Sequence, residues 1–254
     1  MSARSIAVAF AVAVLVPILG MPNDAAGAEI KLLATSGARS ALSELLPQFE
    51  ARTGHKVNAD FAPFAALKRR IDAGENFDVV ILSPALIDEL IKHGKIAADT
   101  RIAFARTGLA VVVAQGGPKP DMSTVENFRR ALLNAKAVAY VKESEGGAHF
   151  LEILNQLGIA EEMRPKLKPL DNARDAIQKG EADMVINSTG SAMETPASEY
   201  LGGLPSKIQR YIPFTAGVSA ATKHPEAARA LLRFLMSPDV AAAFRAKGLE
   251  QGVN

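Results

Sequence analysis

Cysteine and tryptophan are both missing from this 254-residue chain. The lack of cysteine removes thiol nucleophiles, iron–sulfur clusters, disulfide staples and Cys-ligated zinc. Histidine is scarce: only His55, His93, His149 and His224 occur, and no two stand at a metal-ligand spacing, so no metal site is expected. Charge of one sign is lacking as well, because 29 basic against 27 acidic residues leave a net +2. That balance offers no sequence-independent grip on nucleic acid or an anionic bilayer, and nucleic acid is not expected as a partner. Catalytic motifs are also wanting. Residues 189–192 read Thr-Gly-Ser-Ala, which is not a Gly-x-Ser-x-Gly elbow. No His stands in evident relation to a nucleophilic Ser, and no Gly-Lys-Ser/Thr completes a nucleotide loop. The expectation is a chain without catalytic residues, metal or cofactor, and therefore not an enzyme.

What is present is a core and a leader. With 48% hydrophobic and 22% charged residues, the chain holds itself together by packing. Arg4 precedes an apolar run over residues 6–19, and Ala26-Gly27-Ala28 stand before Glu29. This pattern reads as a cleavable signal peptide over residues 1–28, since the run is shorter than the roughly 20 residues that span a bilayer. Cleavage would remove Arg4 and Asp24, leave the charge at +2, and deliver a soluble protein to the periplasm. No lipobox cysteine is there to anchor it.

From Glu29 onward, short β-branched runs alternate with helical periods, which predicts an α/β fold with parallel strands. Strands are expected at 30–35, 56–61 and 78–82, with helices at 38–52, 65–73 and 84–92 between and after them. The punctuation of 71–81 returns at 177–186: a helix closes on Gly74 or Gly180, and Asp78 or Asp183 opens a buried apolar strand. Each strand also reaches a serine within two residues, Ser83 and Ser188, and both serines are expected at the ligand site. Two similarly built Rossmann-like lobes account for the repetition. The second would hold a strand at 138–141, helices at 147–157 and 172–179, and a strand at 184–187. Strands at 109–114 and 208–215 would be the two hinge crossings, and helices at 225–236 and 239–247 end the chain. The expected division is 29–112 plus 211–254 for the first lobe and 113–210 for the second.

In open parallel sheets a ligand sits beyond the carboxyl ends of the strands. The first strand leaves through Thr35-Ser36-Gly37-Ala38-Arg39-Ser40, which supplies hydroxyls, free N–H groups and a cation. Such a turn suits an anion, although Ser36 serves equally as an N-cap and Arg39 as a solvated helix residue. The second lobe repeats the device at residues 142–149, where Gly146 and Gly147 open a helix and His149 lies in its first turns. Asn172, and Asn187 with Ser188, are further donors or simple turn caps. Lys68-Arg69-Arg70 reads as a solvated helix face.

Five segments in order carry a family resemblance: the leader, the first strand with its Ser/Gly turn, residues 67–81, Gly180-Glu181-Ala182-Asp183, and residues 225–248 with Pro225-Glu226-Ala227-Ala228 and Met236-Ser237-Pro238. Together they resemble the molybdate-binding branch of bacterial periplasmic solute-binding proteins. The resemblance implies a two-lobed type II periplasmic binding protein, a monomer that closes on a small anionic ligand and delivers it to the membrane permease of an ABC importer. In molybdate binders of that branch two serines, a tyrosine and backbone groups hold the tetrahedral anion. Here the serine positions fall on Gly37, with Ser36 beside it, and on Phe64; the tyrosine position falls on Ser188. The backbone donors map near Gly146 or Gly147 and near 170–172. The departures leave two ligands in view, a molybdate-like oxyanion and an organic carboxylate that reaches Arg39 against Phe64 as an apolar wall. An exported enzyme and a sensory ligand-binding module are the other classes of function.

Overall fold

The computed structural model describes residues 27–252, so the expected leader lies outside the described residues except for its last two positions. The first strand, β1 (Glu29–Thr35), is buried on both faces at Leu32, Leu33 and Ala34. It leads through a single 3-10 turn into α1 (Arg39–Thr53), whose Leu42, Leu45, Leu46 and Phe49 form one buried face. Gly54 ends that helix at φ 75°, a conformation in which a side chain would be strained. Next come β2 (Lys56–Ala62), α2 (Phe64–Asp72), β3 (Val79–Leu82) and α3 (Pro84–Lys92), the last with Pro84 in its first turn. A 13-residue strand, β4 (Ile102–Ala114), then carries the chain across the molecule.

The far side contains α4 (Val125–Asn134), β5 (Val138–Val141), α5 (Glu145–Gln156), α6 (Ala160–Met163), β6 (Leu167–Leu170), β7 (Met184–Ser188), α7 (Thr189–Met193) and β8 (Ser198–Gly203). β9 (Tyr211–Val218) returns, and α8 (Pro225–Leu235), α9 (Ala241–Ala246) and β10 (Leu249–Gln251) complete the described chain. The strands join in the order β2-β1-β3-β9-β4-β7-β5-β6, with β10 and β8 also pairing with β4. The result is a mixed α/β fold of two Rossmann-like halves. β4 pairs with β9 and β10 up to Gly108, and with β7 and β8 from Leu109 onward. At that switch Gln209 imitates a strand neighbour: its Nε2 donates to the Leu109 carbonyl at 2.9 Å, and its Oε1 accepts from the Leu109 N–H at 3.1 Å.

Strands parallel to one another, as expected, make up β2-β1-β3 and β6-β5-β7. The centre differs. β9 runs antiparallel to β3 and β4, and β4, the strand that crosses between the halves, runs antiparallel to β7. The helix expected at 172–179 is instead a succession of turns. Asn172 Oδ1 takes the Arg174 N–H at 2.9 Å, and later bonds return over three residues at Ala176 and four at Lys179, so no continuous ladder forms. The helix expected from 147 starts at Glu145, because Ser144 caps it. The strand expected at 208–215 lies at Tyr211–Val218.

The sequence repeat has a shared mechanical role. Asp78 accepts the Lys31 N–H at 2.8 Å, and Asp183 accepts the Ala137 and Lys136 N–H groups at 2.8 and 3.0 Å. Each carboxylate thus pins the start of a neighbouring strand. Gly74 and Gly180, at φ 92° and 69°, turn the chain just before it. The Lys68-Arg69-Arg70 run is largely occupied by ion pairs, Lys68 with Asp72 and Glu89, and Arg70 with Glu75 and Asp60.

Candidate functional site

Both halves present their strand ends to one cavity of about 400 Å³. From the first half, the exit of β1 supplies Thr35, Ser36 and Gly37, and the start of α1 supplies Arg39 and Ser40. Gly37 is small for a packing reason: a Cβ there would lie 2.8 Å from the Phe214 ring. Phe214 meets Phe64 edge to face at 5.9 Å, and the two rings form the apolar wall of the cleft. The Arg39 guanidinium lies 4.6 Å over the Phe61 ring and donates to the Phe61 carbonyl at 3.2 Å. Among the described residues it has no carboxylate partner, which leaves its charge available to a guest. The Ser40 hydroxyl is buried at the cavity without a partner.

From the second half, Ser144 organises the start of α5. Its Oγ donates to the Val141 carbonyl and accepts the Gly147 N–H, both at 2.9 Å. Capping consumes the third amide of the turn and leaves those of Glu145 and Gly146 without a protein acceptor among the described residues. Both residues line the cavity. On the facing loops, Asn187 Oδ1 accepts the Ser188 N–H, and the Ser188 and Ser191 hydroxyls lie 3.0 Å apart. Arg174 enters from the turns after β6, 3.7 Å from Glu194, and both residues line the cavity.

Of the eleven residues expected at a ligand site, Thr35, Ser36, Gly37, Arg39, Phe64, Gly146, Asn172, Asn187 and Ser188 line this cavity. Ser83 and Gly147 do not. Ser83 stands at the start of α3, where its carbonyl accepts the Ile87 N–H. Gly147 is packed behind the cleft, because a Cβ would lie 2.1 Å from the Val141 carbonyl, and its N–H is taken by Ser144. His149 is not part of the lining; its Nδ1 is buried without a partner, and burial lowers its pKa.

Sequence reasoning singled out neither Arg174 nor Glu145. Arg174 was hidden in a segment that reads as an ordinary polar helix. Glu145 was visible only as part of a polar turn. Its Oε2 is buried with no hydrogen-bond partner, and burial raises its pKa. No group of three or more His, Cys, Asp or Glu residues suited to a metal ion occurs among the described residues.

A family model for bacterial extracellular solute-binding proteins matches residues 30–250. An aconitate isomerase of Pseudomonas sp is 29% identical over 229 residues, covering 87% of each chain. The molybdate-binding protein ModA of Azotobacter vinelandii is 24% identical over 232 residues, covering 88% of this chain and 90% of that one. The solved structure of the periplasmic molybdate-binding protein of Azotobacter vinelandii superposes with a TM-score of 0.73 at 18% identity, covering 87% of this chain and 98% of the other. That likeness is one of fold.

Proposed function

We propose, for a chain that belongs to the bacterial extracellular solute-binding protein family, that the cleft captures an organic anion bearing several carboxylates in the periplasm and passes it to an ABC permease. The observation that carries this reading is the pair Arg39 and Arg174, one from each half, lining a single cavity walled by Phe64 and Phe214. Guanidinium groups suit carboxylates because their planar fork matches two oxygens at once. Size favours the same class. The cavity holds about 400 Å³, against roughly 120 Å³ for the four oxygens of a tetrahedral oxyanion at one water volume each. The hydroxyl expected in a molybdate site at position 64 is replaced by a phenyl ring, which offers nothing to an oxyanion. A relative named for aconitate, a tricarboxylate, supports the class.

The free amides of Glu145 and Gly146, the orphaned Ser40 hydroxyl and the Ser188–Ser191 pair supply adaptable hydrogen bonds around the charged groups. Closure of the two halves then removes the carboxylates from water among fixed donors.

A thermal-shift panel tests the class. A ligand at one hundred times its Kd stabilises the native state by about 2.7 kcal/mol, which raises Tm by about 5–10 °C for a chain of this size. Tricarballylate and cis-aconitate are expected to produce that rise, and molybdate, tungstate and sulfate to leave Tm in place. A rise with molybdate and none with any di- or tricarboxylate overturns the reading.

A further inference from the structure

Besides its two arginines, the cleft is lined by three acidic side chains, Glu145, Asp171 and Glu194. A carboxylate beside a bound polyanion lowers affinity unless another group answers it. Two of the three are answered without the guest: Asp171 pairs with Lys142 at 3.0 Å, and burial disfavours the charged form of Glu145. Glu194 differs. Its Oε2 lies 3.7 Å from Arg174 Nη1, which is longer than a hydrogen bond. Among the described residues no N–H or O–H comes closer to the Glu194 carboxylate, and the Arg174 guanidinium donates to no acceptor. Both side chains are partly exposed, so the pair holds itself together weakly and can open to a guest. The cleft thus offers, side by side, a fork of free donors and a free, charged acceptor.

Both groups stand on fixed backbone. Asn172 Oδ1 holds the Arg174 N–H at 2.9 Å. The Glu194 N–H donates to the Ser191 carbonyl at 3.3 Å, and the Thr195 hydroxyl donates to the same carbonyl at 3.1 Å. Only side-chain rotation is needed to meet a guest, which keeps the ordering cost small.

We propose that Arg174 and Glu194 together select an α-hydroxy polycarboxylate, Arg174 taking one carboxylate of the guest and Glu194 accepting a hydrogen bond from the hydroxyl on the adjoining carbon. The proposal rests on the polycarboxylate reading of the cleft. An α-hydroxy acid carries an acceptor and a donor on neighbouring carbons, the complement of the donor and acceptor on these neighbouring side chains. Arg39, in the opposite half and free of any carboxylate among the described residues, is left for a second carboxylate of the same guest. A guest that lacks the hydroxyl leaves the Glu194 charge facing its own carboxylates. It is therefore penalised twice, by the missing bond and by unrelieved repulsion.

Citrate and tricarballylate differ only by that hydroxyl, so calorimetry with both, in metal-free buffer, is the test. The wild type is expected to bind citrate about tenfold tighter or more, since a hydrogen bond to a charged group is worth that much. In Glu194→Ala the two ligands are expected to bind within about twofold of each other, with tricarballylate held no more weakly than by the wild type. Glu194→Gln, which keeps an acceptor without the charge, is expected to give an intermediate ratio. Tricarballylate bound by the wild type as tightly as citrate overturns this proposal and leaves the polycarboxylate reading standing. A full preference for citrate in Glu194→Ala overturns the role given to Glu194. Absence of binding by both ligands overturns the polycarboxylate reading and this proposal with it.

Discussion

At the scale of single residues, the cleft holds two arginines and one carboxyl whose charge burial disfavours. Arg39, over the Phe61 ring, and Arg174, beside Glu194, line the cleft, while Glu145 is a carboxyl driven by burial towards its neutral form. A group whose folded-state pKa is raised contributes stability that is fully present below the unfolded value, near 4.5, and is lost as pH rises through the folded value. Ionised Glu145 therefore weakens the fold at neutral pH. Glu145→Gln mimics the protonated form, so it is expected to raise Tm at pH 7.5 and leave it unchanged at pH 4. Differential scanning calorimetry at the two pH values checks this, and a lower Tm at pH 7.5 would count against a costly buried charge. Much of the lining was legible from sequence because strand exits followed by Ser, Gly and Asn announce themselves. Thr35 to Gly37, Gly146 and Asn187 are of this kind. Glu145 and Arg174 were not legible, since their meaning depends on which atoms surround them after folding.

At the scale of elements, the fold repeats one joint in both halves. Gly74 and Gly180 turn the chain, and Asp78 and Asp183 then fasten the start of an adjacent strand. Asp183→Ala strips acceptors from the Lys136 and Ala137 amides, one of them half-buried, and is expected to cost about 1–3 kcal/mol. Urea unfolding with an unchanged m-value measures the loss, and an unaltered midpoint would show that the joint is ornamental. This repeat was readable because it is local, as were α3, with Pro84 at its start, and β5. The antiparallel centre was not. It depends on Leu109 finding Gln209, and Val79 finding Val218, across a hundred residues of chain or more. The turns at 171–180 escaped because Asn172 caps the segment as it would a helix, while the bonds that follow return over three residues at Ala176 and four at Lys179 without forming a continuous ladder. Strands β6, β8 and β10 are poorly patterned, and pairing makes them strands, β8 and β10 with the long β4 and β6 with the equally short β5.

At the scale of the whole molecule, one long strand and the returning segment 204–210 join the halves, and the cavity lies between them. Gln209 binds both the N–H and the carbonyl of Leu109, which holds the switch point of β4 in register. On the proposed reading, a ligand that touches Arg39 in one half and Arg174 in the other favours a closed arrangement by the contacts that only closure completes. Loss of either arginine then removes more than one salt bridge, because it also removes the reason to close. Calorimetric titration of tricarballylate into the wild type, Arg39→Ala and Arg174→Ala tests this most directly. Binding by the wild type with Kd raised more than tenfold in each variant is the predicted result, and a Kd unchanged by both substitutions would contradict a polycarboxylate held between the two halves.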